Sequence, residues 1–174
     1  IQDKITTDVV RSVMEGLEIP DVELEHNHKP GNYWFELGVY DLHLAKLANG
    51  WGLDLAVELY KMVIRDFLGQ LEQSQWPIEW ITIPVGNDYY HVDTAKHTTT
   101  AGTPVEVSAP WHEMYKVGVD LLVWTIVQFL PIAPIHVDYV PGNHDEVLSY
   151  AAAITLEQKF GDLENVTFDT SAGP

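Results

Sequence analysis

The chain has no cysteine among its 174 residues. Disulfides and zinc–thiolate sites are therefore excluded, and a reducing cytosol is compatible with the composition. Positive charge is nearly as scarce, with 9 Lys and Arg against 26 Asp and Glu, for a formal net charge of -17. Arg11 and Arg65 are the only arginines. This balance speaks against a protein that holds nucleic acid by a broad basic face, where Lys and Arg neutralise phosphates. The acidic surplus serves solubility, and it also suits hard cations bound through carboxylate oxygen. Long apolar runs are absent except for 117–135. Asp120 and Gln128 interrupt that run, and Pro131 and Pro134 end it. A buried helix leading into a strand explains it better than a membrane span.

The length fits one domain with a sizeable core. Ile5, Val9, Val10, Val13, Met14 and Leu17 recur at helical spacing, which predicts a helix over residues 1–18. Residues 19–32 are polar and broken by Pro20, Pro30 and Gly31, as in a linker. The His26-Asn27-His28 string within it reads as exposed loop. Residues 1–32 are thus set apart from a domain spanning 33–174.

From there strand and helix patterns alternate. Bulky alternating residues predict a strand over 35–40. Leu55, Leu59, Met62, Val63, Phe67 and Leu71 mark an amphipathic helix over 54–71, with Asp54 as candidate N-cap. A second strand is expected over 80–85, and a polar loop over 93–110. That loop is long enough to be functional; Lys96 and His97 within it read as solvated loop or as a substrate-contacting flap. A buried helix over 111–130, a strand over 135–140, a helix over 147–160 and a strand over 165–168 complete the pattern. The expected fold is α/β, a layered sheet of mainly parallel strands flanked by helices and joined by right-handed crossovers.

Three of these strand ends carry ligand-type side chains. The first runs into Asp41-Leu42-His43, where two residues at i and i+2 on extended chain would point the same way. The second runs into Gly86-Asn87-Asp88, followed by His91, and the third into Gly142-Asn143-His144-Asp145. Open α/β sheets bind ligands at the carboxyl ends of their strands. Carboxylate, amide and imidazole donors gathered there would suit Mn²⁺ or Fe, with Zn²⁺ and Mg²⁺ as further candidates.

The ordered series Asp-x-His, Gly-Asn-Asp, Gly-Asn-His-Asp resembles the calcineurin-like metallophosphoesterase superfamily over residues 35–160. The segments 41–47, 85–88 and 98–104 are similar to its bacterial and phage branch of DNA-repair-exonuclease-like enzymes. The resemblance implies a hydrolase with two divalent metal ions. Asp41 and His43 would hold the first ion, Asp88 would bridge both, and Asn143 would hold the second. His144 would face the phosphate, and Asp145 would orient His144. His91 stands three residues after the bridging carboxylate, where the repair nucleases of the superfamily have a histidine. The implied substrate is a phosphoester, DNA being one candidate, in the cytoplasm, or in the host cytoplasm for a phage protein.

The chain departs from the family pattern at Tyr40, where a small residue is usual, and at Ala45, where glycine is usual. No histidine follows His144, so the family's later histidine ligands have no counterpart. The chain is therefore expected to be C-terminally incomplete, the N-terminal half of a metallophosphoesterase-type sandwich. A second copy or a missing C-terminal half would then cover its open surface. The alternative reading is a shortened or degenerate member without catalysis, acting as a binding or assembly protein. A third is an unrelated α/β domain, in which the three strand ends would not converge.

Overall fold

The computed structural model describes residues 2–17 and 31–171. The His26-Asn27-His28 string and most of the expected linker lie outside the described residues. Helix α1 (Gln2–Gly16) precedes strand β1 (Tyr33–Glu36), helix α2 (Leu53–Gln73) and strand β2 (Ile78–Gly86). Helix α3 (Trp111–Phe129), strand β3 (Ile135–Val140), helix α4 (Glu146–Phe160) and strand β4 (Val166–Asp169) follow. The four strands form one sheet in the order β1-β2-β3-β4, and every neighbouring pair is parallel. This is the layered α/β architecture expected from the sequence.

Side-chain alternation assigns the two faces of the sheet. Ile81, Ile83 and Val85 of β2 and Ile135, Val137 and Tyr139 of β3 are buried. They form one core with Ile64 of α2, Met114, Leu122 and Ile126 of α3, and Leu148, Ala152 and Leu156 of α4. The alternate residues make a different face. Trp34 is 58% and Trp80 39% exposed, Trp34 Nε1 donates to Thr82 Oγ1 at 2.9 Å, and His136 Nε2 lies 2.8 Å from Asp138 Oδ1. Parallel sheets are ordinarily covered on both faces. Among the described residues, this second face keeps two exposed tryptophans. No described helix is long and apolar enough to cross a membrane.

Several element ends differ from the sequence reading, each for a tertiary reason. The first strand lies over 33–36 rather than 35–40 because its partner residues on β2 begin at Ile78. The N-cap of α2 is Gly52, not Asp54, which lies in the first turn. Leu53 N is satisfied from a distance, by Ser108 Oγ at 2.9 Å. The loop over 93–110 is docked, not free. Asp93 is buried, and its Oδ1 accepts from Val147 N and Leu148 N at 2.8 and 3.0 Å. It thereby caps the free amides at the start of α4.

Candidate metal centre

The ligand-type side chains stand where β1, β2 and β3 end. The loop after β1 does not continue as extended chain. Asp41, His43 and Ala45 all take positive φ, at 55°, 46° and 68°. Asp41 and His43 are therefore brought together by left-handed turns rather than by strand alternation, a correction to the sequence reading. The loop after β2 does the same at Asn87 and Asp88, with φ of 50° and 65°. Left-handed backbone is uncommon outside glycine and is sustained only where surrounding contacts enforce it. Among the described residues, five of the six such non-glycine positions lie in these two loops, the sixth being His97. Ala45, where the resembled family has glycine, takes the left-handed conformation that glycine adopts without strain.

Backbone hydrogen bonds fasten the two loops together. Asp41 N donates to Asn87 O at 3.1 Å, His43 N to Asp88 O at 2.9 Å and Leu44 N to Tyr89 O at 2.9 Å. His91 N returns a bond to Leu44 O at 3.2 Å. The third loop is fastened to the second by side chains. Asp145 is fully buried, and its carboxylate accepts from Asp88 N at 3.1 Å, from Tyr90 N at 2.9 Å and from Ser149 Oγ. His144 N in turn donates to Asp88 Oδ1 at 2.8 Å. Two glycines make this approach feasible. A Cβ on Gly142 would lie 2.4 Å from both Asp88 N and Asp88 Oδ1, and one on Gly86 would lie 2.0 Å from Val140 O.

The outcome for the expected site residues is specific. Asp41, His43 and Asp88 each offer a ligand atom within 4.8 Å of the others, and so do His43, His91 and His144. His43 is common to both groups. Asp41 is largely exposed, with its Oδ1 3.7 Å from His43 Nε2. Asn143 is exposed, and its backbone oxygen accepts from Thr100 N at 3.1 Å. Asp145 does not meet the imidazole it was expected to orient. His144 Nδ1 pairs instead with the carbonyl of His91 at 2.9 Å, because the Asp145 carboxylate is turned inward onto Asp88 N, Tyr90 N and Ser149. The roles of Ser149, Asp93 and the His91 carbonyl are not visible in the sequence. Nothing local marks them, since each acts on a loop more than 50 residues away or, for Ser149, through a buried partner one turn back.

Burial sets the protonation states. It lowers the pKa of His43, with the neighbouring His144 adding to the effect. It pushes His91 down to about 4, with His43 and His144 adding to it. Both imidazoles are therefore neutral at neutral pH and keep a lone pair for a cation. Burial pushes the Asp145 carboxyl up to about 6, against the hydrogen bonds from Ser149, Tyr90 and Asp88 that favour its ionised form. The donor set of exposed carboxylate, neutral imidazole and buried carboxylate suits a divalent cation. Compared with family models, with curated proteins and with solved structures, the chain matches none.

Proposed function

We propose that this chain is a metal-dependent phosphoesterase, acting on phosphodiesters such as those of nucleic acids. One observation carries the reading: Asp41, His43 and Asp88, from two separate strand ends, bring ligand atoms within 4.8 Å of one another. His144, from a third strand end, is tied to the same Asp88. In this reading Asp41, His43 and Asp88 hold divalent metal, Mn²⁺ first, with Asn143 as the further oxygen donor that the family resemblance implies. A divalent pair supplies Lewis acidity towards phosphoryl oxygens and lowers the pKa of water.

The chain's own groups do the rest. Asp88 uses Oδ1 to hold His144 N, which leaves Oδ2 for a cation. The His91 carbonyl fixes His144 through Nδ1, so Nε2 is the atom free to exchange a proton with a leaving oxygen. His91 and His144 stack with ring centroids 5.1 Å apart, side by side where a phosphoryl group would lie. Asp145 sets the spacing of the loops and takes no part in proton transfer.

The test is hydrolysis of bis(4-nitrophenyl) phosphate with and without Mn²⁺. Mn²⁺-dependent release of nitrophenolate is expected, and Asp88→Asn should lower it about 100-fold or more. Asparagine keeps an oxygen for His144 N, so the loop survives while the bridging charge is lost. Hydrolysis that Asp88→Asn leaves intact rules out the assigned role.

The open sheet face favours a second reading, a non-catalytic member that binds a partner through Trp34 and Trp80. Protein that takes up Mn²⁺ but hydrolyses no phosphoester would favour that reading.

A further inference from the structure

We propose that His43, His91 and His144 form an all-imidazole site for a single transition-metal ion of the Zn²⁺ class, distinct in ligand set from the carboxylate site beside it. The inference rests on the reading of these loops as a metal centre, and not on phosphoester chemistry.

The first argument is spacing. His91 Nδ1 and His43 Nδ1 stand 3.2 Å apart. With a metal–nitrogen bond of about 2.1 Å, two imidazole nitrogens bound at right angles or at the tetrahedral angle lie about 3.0–3.4 Å apart. The observed separation falls within that interval. The three ring centroids are mutually 4.6, 5.1 and 5.2 Å apart, and each residue has a ligand nitrogen within 4.8 Å of the others.

The second argument is the outward side of one ring. Metal-bound histidines ordinarily direct their other nitrogen to a carbonyl or a carboxylate, which fixes tautomer and orientation. His144 does so through Nδ1 to the His91 carbonyl at 2.9 Å, leaving Nε2 as the donor. His43 directs its Nδ1 at His91, and its Nε2 stands 3.7 Å from Asp41 Oδ1, outside hydrogen-bond reach. The His144 ring is therefore already turned as a ligand. His91, only 6% exposed, is held in place because its backbone N–H bonds to Leu44 O.

The third argument is chemistry. Imidazole suits Zn²⁺, Ni²⁺ and Cu²⁺, whereas carboxylate and carbonyl oxygens suit Mn²⁺ and Mg²⁺. The two groups therefore prefer different ions although they share His43. An ion on the three imidazoles also occupies the nitrogens that a phosphoryl group would meet. A Zn²⁺-class ion and a phosphoester are then mutually exclusive occupants.

The test is titration of metal-free protein with Zn²⁺ by calorimetry and with Co²⁺ by visible absorption. Stoichiometric binding is expected, with Co²⁺ bands of a low-coordinate nitrogen site. His91→Ala should weaken Zn²⁺ by more than the ~100-fold seen when an outer partner of a ligand is lost. His144→Ala, at a half-exposed position, should do the same and serves if the first variant does not fold. Asp41→Asn should change Zn²⁺ affinity only a few-fold. Zn²⁺ binding that survives both histidine variants but is lost in Asp41→Asn overturns the imidazole site and leaves the carboxylate centre standing. Failure of the wild type to bind Zn²⁺, Co²⁺ or Mn²⁺ overturns both.

Discussion

The carboxylates at the sheet edge fall into two groups that behave in opposite ways. Asp145 and Asp93 are buried, and their oxygens are taken up by amides and hydroxyls of neighbouring loops. Asp41 is exposed and accepts no hydrogen bond from the described backbone, and Asp88 commits one oxygen to His144 N. The same residue type thus builds the platform in one layer and leaves oxygen atoms uncommitted in the next. Residue type alone therefore does not assign a role here. What an oxygen already accepts decides whether it has capacity left for a ligand.

Substitutions can break or sharpen this division. The largest effect is expected from Asp145→Ala, which strands the Asp88 and Tyr90 amides and the Ser149 hydroxyl in the interior. A loss of about 3 kcal/mol or more in denaturant unfolding is expected. Unchanged stability with lost metal binding would move Asp145 into the presenting layer. Next comes Gly142→Ala, whose methyl would press on Asp88 and Asp145. About 2 kcal/mol of destabilisation is expected from such overpacking, with a fall in Mn²⁺ affinity, because the displaced Asp88 carboxylate belongs to the proposed ligand set.

The pH dependence of metal-free protein separates the layers further. His91 is depressed to about 4 in the fold from about 6.5 unfolded. Its contribution is present above pH 6.5 and is lost as pH falls towards 4. Asp145 is raised to about 6 from about 3.9 unfolded. Its contribution is present below pH 4 and is lost as pH rises through 6. Between about pH 4 and 6 the two slopes oppose each other. The stability of wild type relative to His91→Ala should therefore shrink steadily as pH falls from 6.5 to 4. A constant difference would show that His91 is not held neutral. The smallest effect on stability, within about 0.5 kcal/mol, is expected from Asp41→Asn, since asparagine tolerates the left-handed backbone at position 41. Its Mn²⁺ affinity should nevertheless fall at least ~10-fold.

Much of the fold is legible in the residues themselves. The third strand has the predicted bounds 135–140, and α2, α3 and α4 lie within two residues of their expected ends, because their apolar spacing is strong. The first strand is displaced because 33–40 alternates throughout. Leu37 is buried beyond the last strand residue, so alternation continues past the point where pairing stops. Helix starts are misplaced or unexplained for one reason. Ser108 caps α2 and Asp93 caps α4, both from loops far along the chain, whereas capping rules look only at adjacent residues. In the site, Asp41, His43, Asp88, His91 and His144 are legible from the sequence and converge, whereas Asn143, expected as a ligand, is exposed. The left-handed turns that bring them together are not legible there, since i, i+2 spacing alone points to extended chain. The inward turn of Asp145 was equally hidden, because it depends on amides 55 and 57 residues away.

The hydrogen bonds that run from Asp41 to Asn87, from His43 to Asp88 and between Leu44, Tyr89 and His91 make the first two ligand loops one body. Asp145 adds the third. Immobilising a flexible side chain or loop on association costs about 0.5–1.5 kcal/mol per group. Here that conformational freedom is already given up during folding. An ion arriving at the proposed centre would therefore meet side chains whose backbones no longer have to be ordered. Affinity at this edge should depend on donor chemistry rather than on loop length, and ions that differ only in ligand preference should be told apart sharply.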